Sequence, residues 1–243
     1  MANETWDRRP PAASHAREVE ALQVAELYRN LPVGAASSYF GTLLCVAVFL
    51  EFGMGGREVV WFAYGTVVAV LRLGLCWLYR GQSGIGGDFT PADWARLAII
   101  GNVLAGIQWG LLGTWIFPDL PGYRQTFSIM VITCFVGGSI TAYAPVRWAH
   151  PALSLPATIP SSIYIFFFAS GPHFMAGFTA LFFSAMVLYY AFRETELVAQ
   201  RLRADVRLRK QLSELEEQVE DMPRESRVLS FPGPGTTPGG ATT

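Results

Sequence analysis

The sequence predicts an all-α protein: an integral membrane bundle of about six transmembrane helices, the last continuing into a cytoplasmic coiled coil. Three observations predict it. Hydrophobic residues make up 51% of the 243 positions and charged residues only 15%, with a mean hydropathy of +0.31, whereas soluble domains carry about 25% charge. The charges are also segregated: residues 36–193 hold 12 of the 37 Asp, Glu, Lys and Arg residues, and the two ends hold the rest. Finally, the 29 residues after Phe192 contain neither Gly nor Pro and place Leu208, Leu212, Leu215 and Val219 at spacings of 4, 3 and 4, an a/d seam.

A bilayer core is spanned by about 20 apolar residues. Six such segments are read: Ala36–Phe52, Val59–Tyr79, Trp94–Phe117, Gln125–Pro145, Leu153–Ser170 and Phe174–Phe192. The 35 residues before the first are too long and too acidic for a cleaved signal peptide. With six crossings both termini share a side, which then carries fifteen basic residues, Arg8, Arg9, Arg17, Arg29, Arg80, Arg96 and Arg147 among them. The opposite side carries two, Arg57 and Arg124, and Arg72 stays within a helix. The positive-inside rule makes both ends cytoplasmic, in a cell inner membrane. The outer loops are too short for a folded domain, so any stimulus is read in the membrane, at its outer face or from the cytoplasm.

The polar ends divide further. Residues 1–14 read as a disordered tail, and 15–34 as an amphipathic cytoplasmic helix at the membrane surface, with Val24, Tyr28 and Leu31 on one side and Pro32 ending it. The membrane domain covers 35–193. Residues 194–221 form the coiled-coil helix, in which Val198, Leu202 and Val206 precede the seam at spacings of 4 and 4, a stutter in the heptad. Residues 222–243, rich in Pro and Gly, are expected to be disordered.

Chemistry is sparse. Net charge is −1, which offers no field for nucleic acid. The three cysteines, Cys45, Cys76 and Cys134, fall in apolar segments without a CxxC pair and read as small buried hydrophobes. His15 lies in the amino-terminal tail, and His150 and His173 face opposite surfaces, so no metal or other cofactor is expected. Gly84 to Phe89 (GIGGDF) carries Gly-Gly-Asp without a following Glu or a preceding strand, a chance match to a cyclase signature or a phosphate loop. The intramembrane polar residues are the candidate ligand contacts: Arg72, Asn102 and Gln108. Each has a plainer reading, Arg72 as a snorkelling arginine and the two amides as interhelical hydrogen-bond partners. GIQWG (Gly106 to Gly110), extended by Gly113, is a GxxxG face for close helix packing. Pro151, Pro156 and Pro160 predict a kinked or locally unwound fifth crossing.

LYRNLPVG (Leu27 to Gly34) leading into the first crossing, QWGLLGTWIFP (Gln108 to Pro118) in the third and AYAPVRWAHPA (Ala142 to Ala152) before the fifth, with the charged helix after the sixth, give the chain a familiar look. Over residues 18–221 it resembles the multi-helix membrane sensor regions that precede diguanylate cyclase or histidine kinase domains in bacterial signalling proteins. The resemblance implies a dimeric input module for signal transduction, with Val198 to Val219 as transmission helix. It departs after Asp221, where no GGDEF-type cyclase, phosphoacceptor His or ATP-binding region follows. The chain is therefore expected to lack the catalytic output domain and to have no enzymatic activity. Its expected partners are the lipid bilayer and either a second copy or a signalling kinase or cyclase. Two other readings stay open: a small transporter or channel, resting on Arg72, Asn102, Gln108 and the proline-rich helix, and an accessory subunit of a membrane complex.

Overall fold

Thr90 shows how the sequence sets a helix boundary. Its backbone is extended (φ −78°, ψ 160°), its hydroxyl accepts from the Asp93 N–H, and the Asp93 carboxylate accepts in return from the Thr90 N–H at 3.1 Å. This capping box, with Pro91 in the first turn, starts a helix that runs through the third apolar segment. The computed structural model describes residues 11–51, 53–82, 89–116, 122–168 and 173–221. Among them every regular element is helical: α1 (Pro11–Leu50), α2 (Gly56–Gln82), α3 (Pro91–Leu111) closed by a π turn (Leu112–Ile116), α4 (Gly122–Gly138), α5 (Ile140–Tyr143), α6 (Ala149–Phe168) and α7 (His173–Asp221). Three helical stretches are long and apolar enough to cross a membrane by length and composition, Ala16–Leu50, Gly56–Gly81 and Pro91–Ile116, and Gln125–Gly138 is a shorter apolar helix. Gly84 to Asp88 of the GIGGDF segment and the 222–243 tail lie outside the described residues.

Two expectations about the amino end are corrected. The helix begins at Pro11, inside the stretch expected to be disordered, and Pro32 does not end it: α1 is one helix of 40 residues with Pro32 inside. Nor does the first part lie on a surface. Val24, Leu27, Tyr28 and Leu31 are buried in a core with Val68, Cys76, Trp94, Ala98 and Tyr143. Tyr28 stacks on Tyr79 at 4.1 Å, meets Trp94 edge-on and donates to the Trp94 carbonyl at 3.0 Å. Val24 to Leu31 are thus held by α2, α3 and α5, and beyond Pro32 Gly34 lies against Tyr143 while Cys45 and Phe49 are buried with Trp61 and Trp109. An interior proline costs about 3 kcal/mol, and burying several large side chains at about 1.5–3 kcal/mol each outweighs it.

The core has two ends. Beyond the cluster around Tyr28, a second gathers Cys45, Phe49, Trp61, Trp109, Leu112 and Ile116. The chain divides into two compact units, 1–202 and 203–243. In the first, α3 packs most extensively on α6, α1 on α2, and α2 on α3. Its outer faces are apolar: Trp77 is 77% and Phe167 70% exposed, and Phe40, Val70, Met130 and Phe182 are exposed as well. The described part of the second unit, 203–221, is helical.

Candidate functional site

Arg72 leaves α2 pointing inward, 2% exposed, and so does not snorkel. Its guanidinium donates to Asn102 Oδ1 at 2.9 Å and to the Tyr143 hydroxyl, and it lies 5.5 Å from the Tyr143 ring centroid. Asn102 in turn donates to the Ala149 carbonyl at 2.8 Å. Four helices therefore join in one network: α2 through Arg72, α3 through Asn102, α5 through Tyr143, and the start of α6 through the Ala149 carbonyl bonded to Asn102. α1 closes the cluster, since a Cβ at Gly34 would fall on the Tyr143 hydroxyl and lie 2.9 Å from Cζ; only glycine lets the phenol through. Among the described residues no carboxylate pairs with Arg72, and its Nε is buried without a hydrogen-bond partner. A buried charge is costly unless several dipoles face it, and here an amide oxygen, a phenol oxygen and a ring face do so.

Gln108 is not part of this cluster. It donates to Thr42 Oγ1 at 2.8 Å, while its backbone carbonyl accepts from Trp61 Nε1 at 2.6 Å; beside it Trp109 Nε1 donates to Ser38 Oγ at 3.1 Å. The structure thus joins Arg72 to Asn102 and places Gln108 in a separate layer tying α1, α2 and α3. Both amides serve as interhelical bonds.

Gly106, Gly110 and Gly113 all face α6. A Cβ at Gly106 would lie 2.5 Å from Pro156 Cγ, one at Gly110 would fall on the Pro156 carbonyl oxygen, and one at Gly113 would fall on the Ser161 side chain. α6 is helical through Pro156 and Pro160, so the helix is not unwound there; Pro160 offers no N–H to the Pro156 carbonyl, and that oxygen sits against Gly110. The irregularity falls elsewhere, in the π turn at Leu112–Ile116 and in residues 144–148 between α5 and α6.

Cavities of different size lie along the bundle. A small one of about 20 Å³ lies among Gly113, Thr133, Thr158, Ser161, Ser162 and Ser184, room for one water. An open groove of about 530 Å³ runs between α1 and α4–α5, past Phe40, Leu44, Phe127, Met130 and Cys134. Cys134 is therefore exposed, unlike Cys45 and Cys76, which corrects its reading as a buried hydrophobe. His150 is buried, its Nε2 at 3.1 Å from the Val136 carbonyl and its Nδ1 without a partner. As only a protonated nitrogen can bond a carbonyl, Nε2 carries the hydrogen. Among the described residues no group of three or more His, Cys, Asp or Glu could hold a metal.

Along α7, Val198 and Leu202 are half-buried, whereas Leu208, Leu212, Leu215 and Val219 are all about half exposed, from 49 to 56%. Sequence reasoning missed Tyr143, Thr42 and Trp61: nothing in the pattern distinguishes a tyrosine that meets an arginine 71 residues away from one at a membrane boundary.

An all-helical protein, among the described residues, with three helices apolar enough for a membrane and with Arg72, Asn102 and Gln108 buried inside it is what fold and site define; they suggest a membrane protein. Comparison with protein-family models, with curated proteins and with solved structures finds no match for this chain.

Proposed function

We propose that the chain is the membrane-embedded input module of a bacterial signalling protein, with six crossings, both ends cytoplasmic, and α7 as the helix that passes a change of the bundle to its partner. The observation that carries it is the seam on α7. Leu208, Leu212, Leu215 and Val219 repeat at heptad spacing and stand exposed, on a helix that continues without interruption from the apolar segment 174–192 to Asp221. An apolar stripe on an otherwise charged helix is stabilised when a second helix covers it.

The bundle supports the membrane half of this reading. α4, α6 and α7 each carry exposed large apolar side chains, Met130, Phe167 and Phe182 among them, which a surrounding hydrocarbon would accommodate and water would not. The polar residues that a solute path would need are engaged in helix-to-helix bonds, which favours an input module over a transporter. We assign the described residues no catalytic role, and we take the partner of the seam to be a second copy or a kinase or cyclase carrying a matching helix.

Crosslinking tests the seam. With the exposed Cys134 replaced by alanine, cysteine at Leu212 forms a disulfide dimer in native membranes and cysteine at Ser213 does not. Equal yields at the two positions would refute a defined pairing.

A further inference from the structure

Residues 144–148 present Arg147 and Trp148 at the bundle surface, and both are exposed, Trp148 by 56%. The segment is pinned from below at both ends, by Tyr143 against Arg72 and by the Ala149 carbonyl on Asn102. The Arg147 guanidinium lies 5.8 Å from the Trp148 ring centroid and 5.8 Å from that of Phe192 on α7, and the two rings meet edge-on. At that distance each ring attracts the cation. Among the described residues no carboxylate pairs with Arg147, which sets it apart from Arg29, bonded to Glu26, and Arg96, 3.4 Å from Asp93. Arg193 follows Phe192 directly.

On the membrane reading above, on which this inference rests, that point is the cytoplasmic boundary of the bilayer. An exposed tryptophan there sits at headgroup level, and a fixed arginine offers a planar set of donors that matches a phosphate. We propose that Arg147, Trp148 and Phe192 form a headgroup site for an anionic phospholipid of the cytoplasmic leaflet. The rings hold the guanidinium in place, so little side-chain freedom is lost when the phosphate arrives. The lipid would link the α5–α6 connection to α7.

The test uses the full chain in detergent with an equimolar mixture of phosphatidylglycerol and phosphatidylcholine, bound lipids being read by native mass spectrometry. The wild type retains phosphatidylglycerol preferentially. R147Q lowers that preference about five-fold, the effect of one basic residue at an anionic surface, while R96Q changes it less than two-fold. The wild-type preference also falls as salt rises. Equal losses in R147Q and R96Q would overturn the site in favour of a diffuse basic collar, and no preference in the wild type would overturn it outright. Displacement of the lipid by millimolar inorganic phosphate would assign Arg147 to a free anion instead. The membrane reading fails separately: a chain that does not enter vesicles of either lipid would sink that reading, whereas one that enters both without preference would sink only this inference.

Discussion

Replacing Asn102 by leucine removes the amide that stands between Arg72 and Ala149. Asn102 is fully buried, it accepts from the Arg72 guanidinium at 2.9 Å, and it donates to the Ala149 carbonyl at 2.8 Å. A hydrogen bond to a charged group contributes about 1.5–3 kcal/mol, and the bond to the Ala149 carbonyl, which also accepts within α6, adds about 0.5–1.5 kcal/mol. Interhelical bonds inside membrane bundles average less, about 0.6 kcal/mol, so the full sum is not reached. The charge on Arg72 places this pair at the upper end, and N102L should destabilise the bundle by about 2–4 kcal/mol. R72M should cost a similar amount, since it strips Asn102 and Tyr143 of their donor. The double variant removes the buried charge together with its acceptor and should fall short of the summed losses by about 1–2 kcal/mol. Denaturant unfolding in detergent, followed by tryptophan fluorescence, gives all four corners of the cycle. Additive losses, or an N102L variant as stable as the wild type, would refute the placement of Arg72 at the centre of the bundle.

Other predictions follow from single contacts. Gly110→Ala should lower the melting temperature by several degrees, because its Cβ would fall on the Pro156 carbonyl, whereas Gly138→Ala, with nothing within 4 Å, should not; equal shifts would argue against the α3–α6 notch. Pro32→Ala should leave the melting temperature unchanged or raise it, since it restores a donor inside a continuous helix, the gain being at most about 3 kcal/mol; a clear fall would show that the proline shapes α1. In native detergent solution N-ethylmaleimide should modify Cys134 and spare the buried Cys45 and Cys76 until the protein unfolds, as mass spectrometry of the intact chain would report.

An all-helical chain was legible in the sequence because long apolar runs act locally, and three of the helices are long and apolar enough to cross a membrane; the Thr90–Asp93 capping box, equally local, went unread. Three glycines at spacings of 4 and 3 on one apolar helix are likewise a local pattern, one that reads as a face admitting a neighbouring backbone. What escaped is tertiary. Pro32 reads as a helix end from any window of sequence, and only the burial of Leu27, Tyr28, Leu31 and Ala35 around it keeps α1 running. The same burial draws the amphipathic residues 24–31 into the bundle instead of onto a surface. Arg72 looked like a snorkelling residue because Arg80 lies two turns away. Its partners, Asn102 and Tyr143, are 30 and 71 residues distant, beyond any periodicity. Cys134 and Cys76 have equally apolar neighbours in sequence, and only the groove beside α1 tells them apart.

An input module of six crossings has both ends on one side of the membrane, and topology can be measured directly. In a Cys134→Ala background, single cysteines at Ala16, Gly55, Arg96 and Ser213 would be exposed to a membrane-impermeant maleimide in cells with an opened outer envelope. The account predicts labelling of the Gly55 position alone, and of the other three only after lysis. Labelling that places Ala16 and Ser213 on opposite sides would require an odd number of crossings and would contradict the six-helix input module.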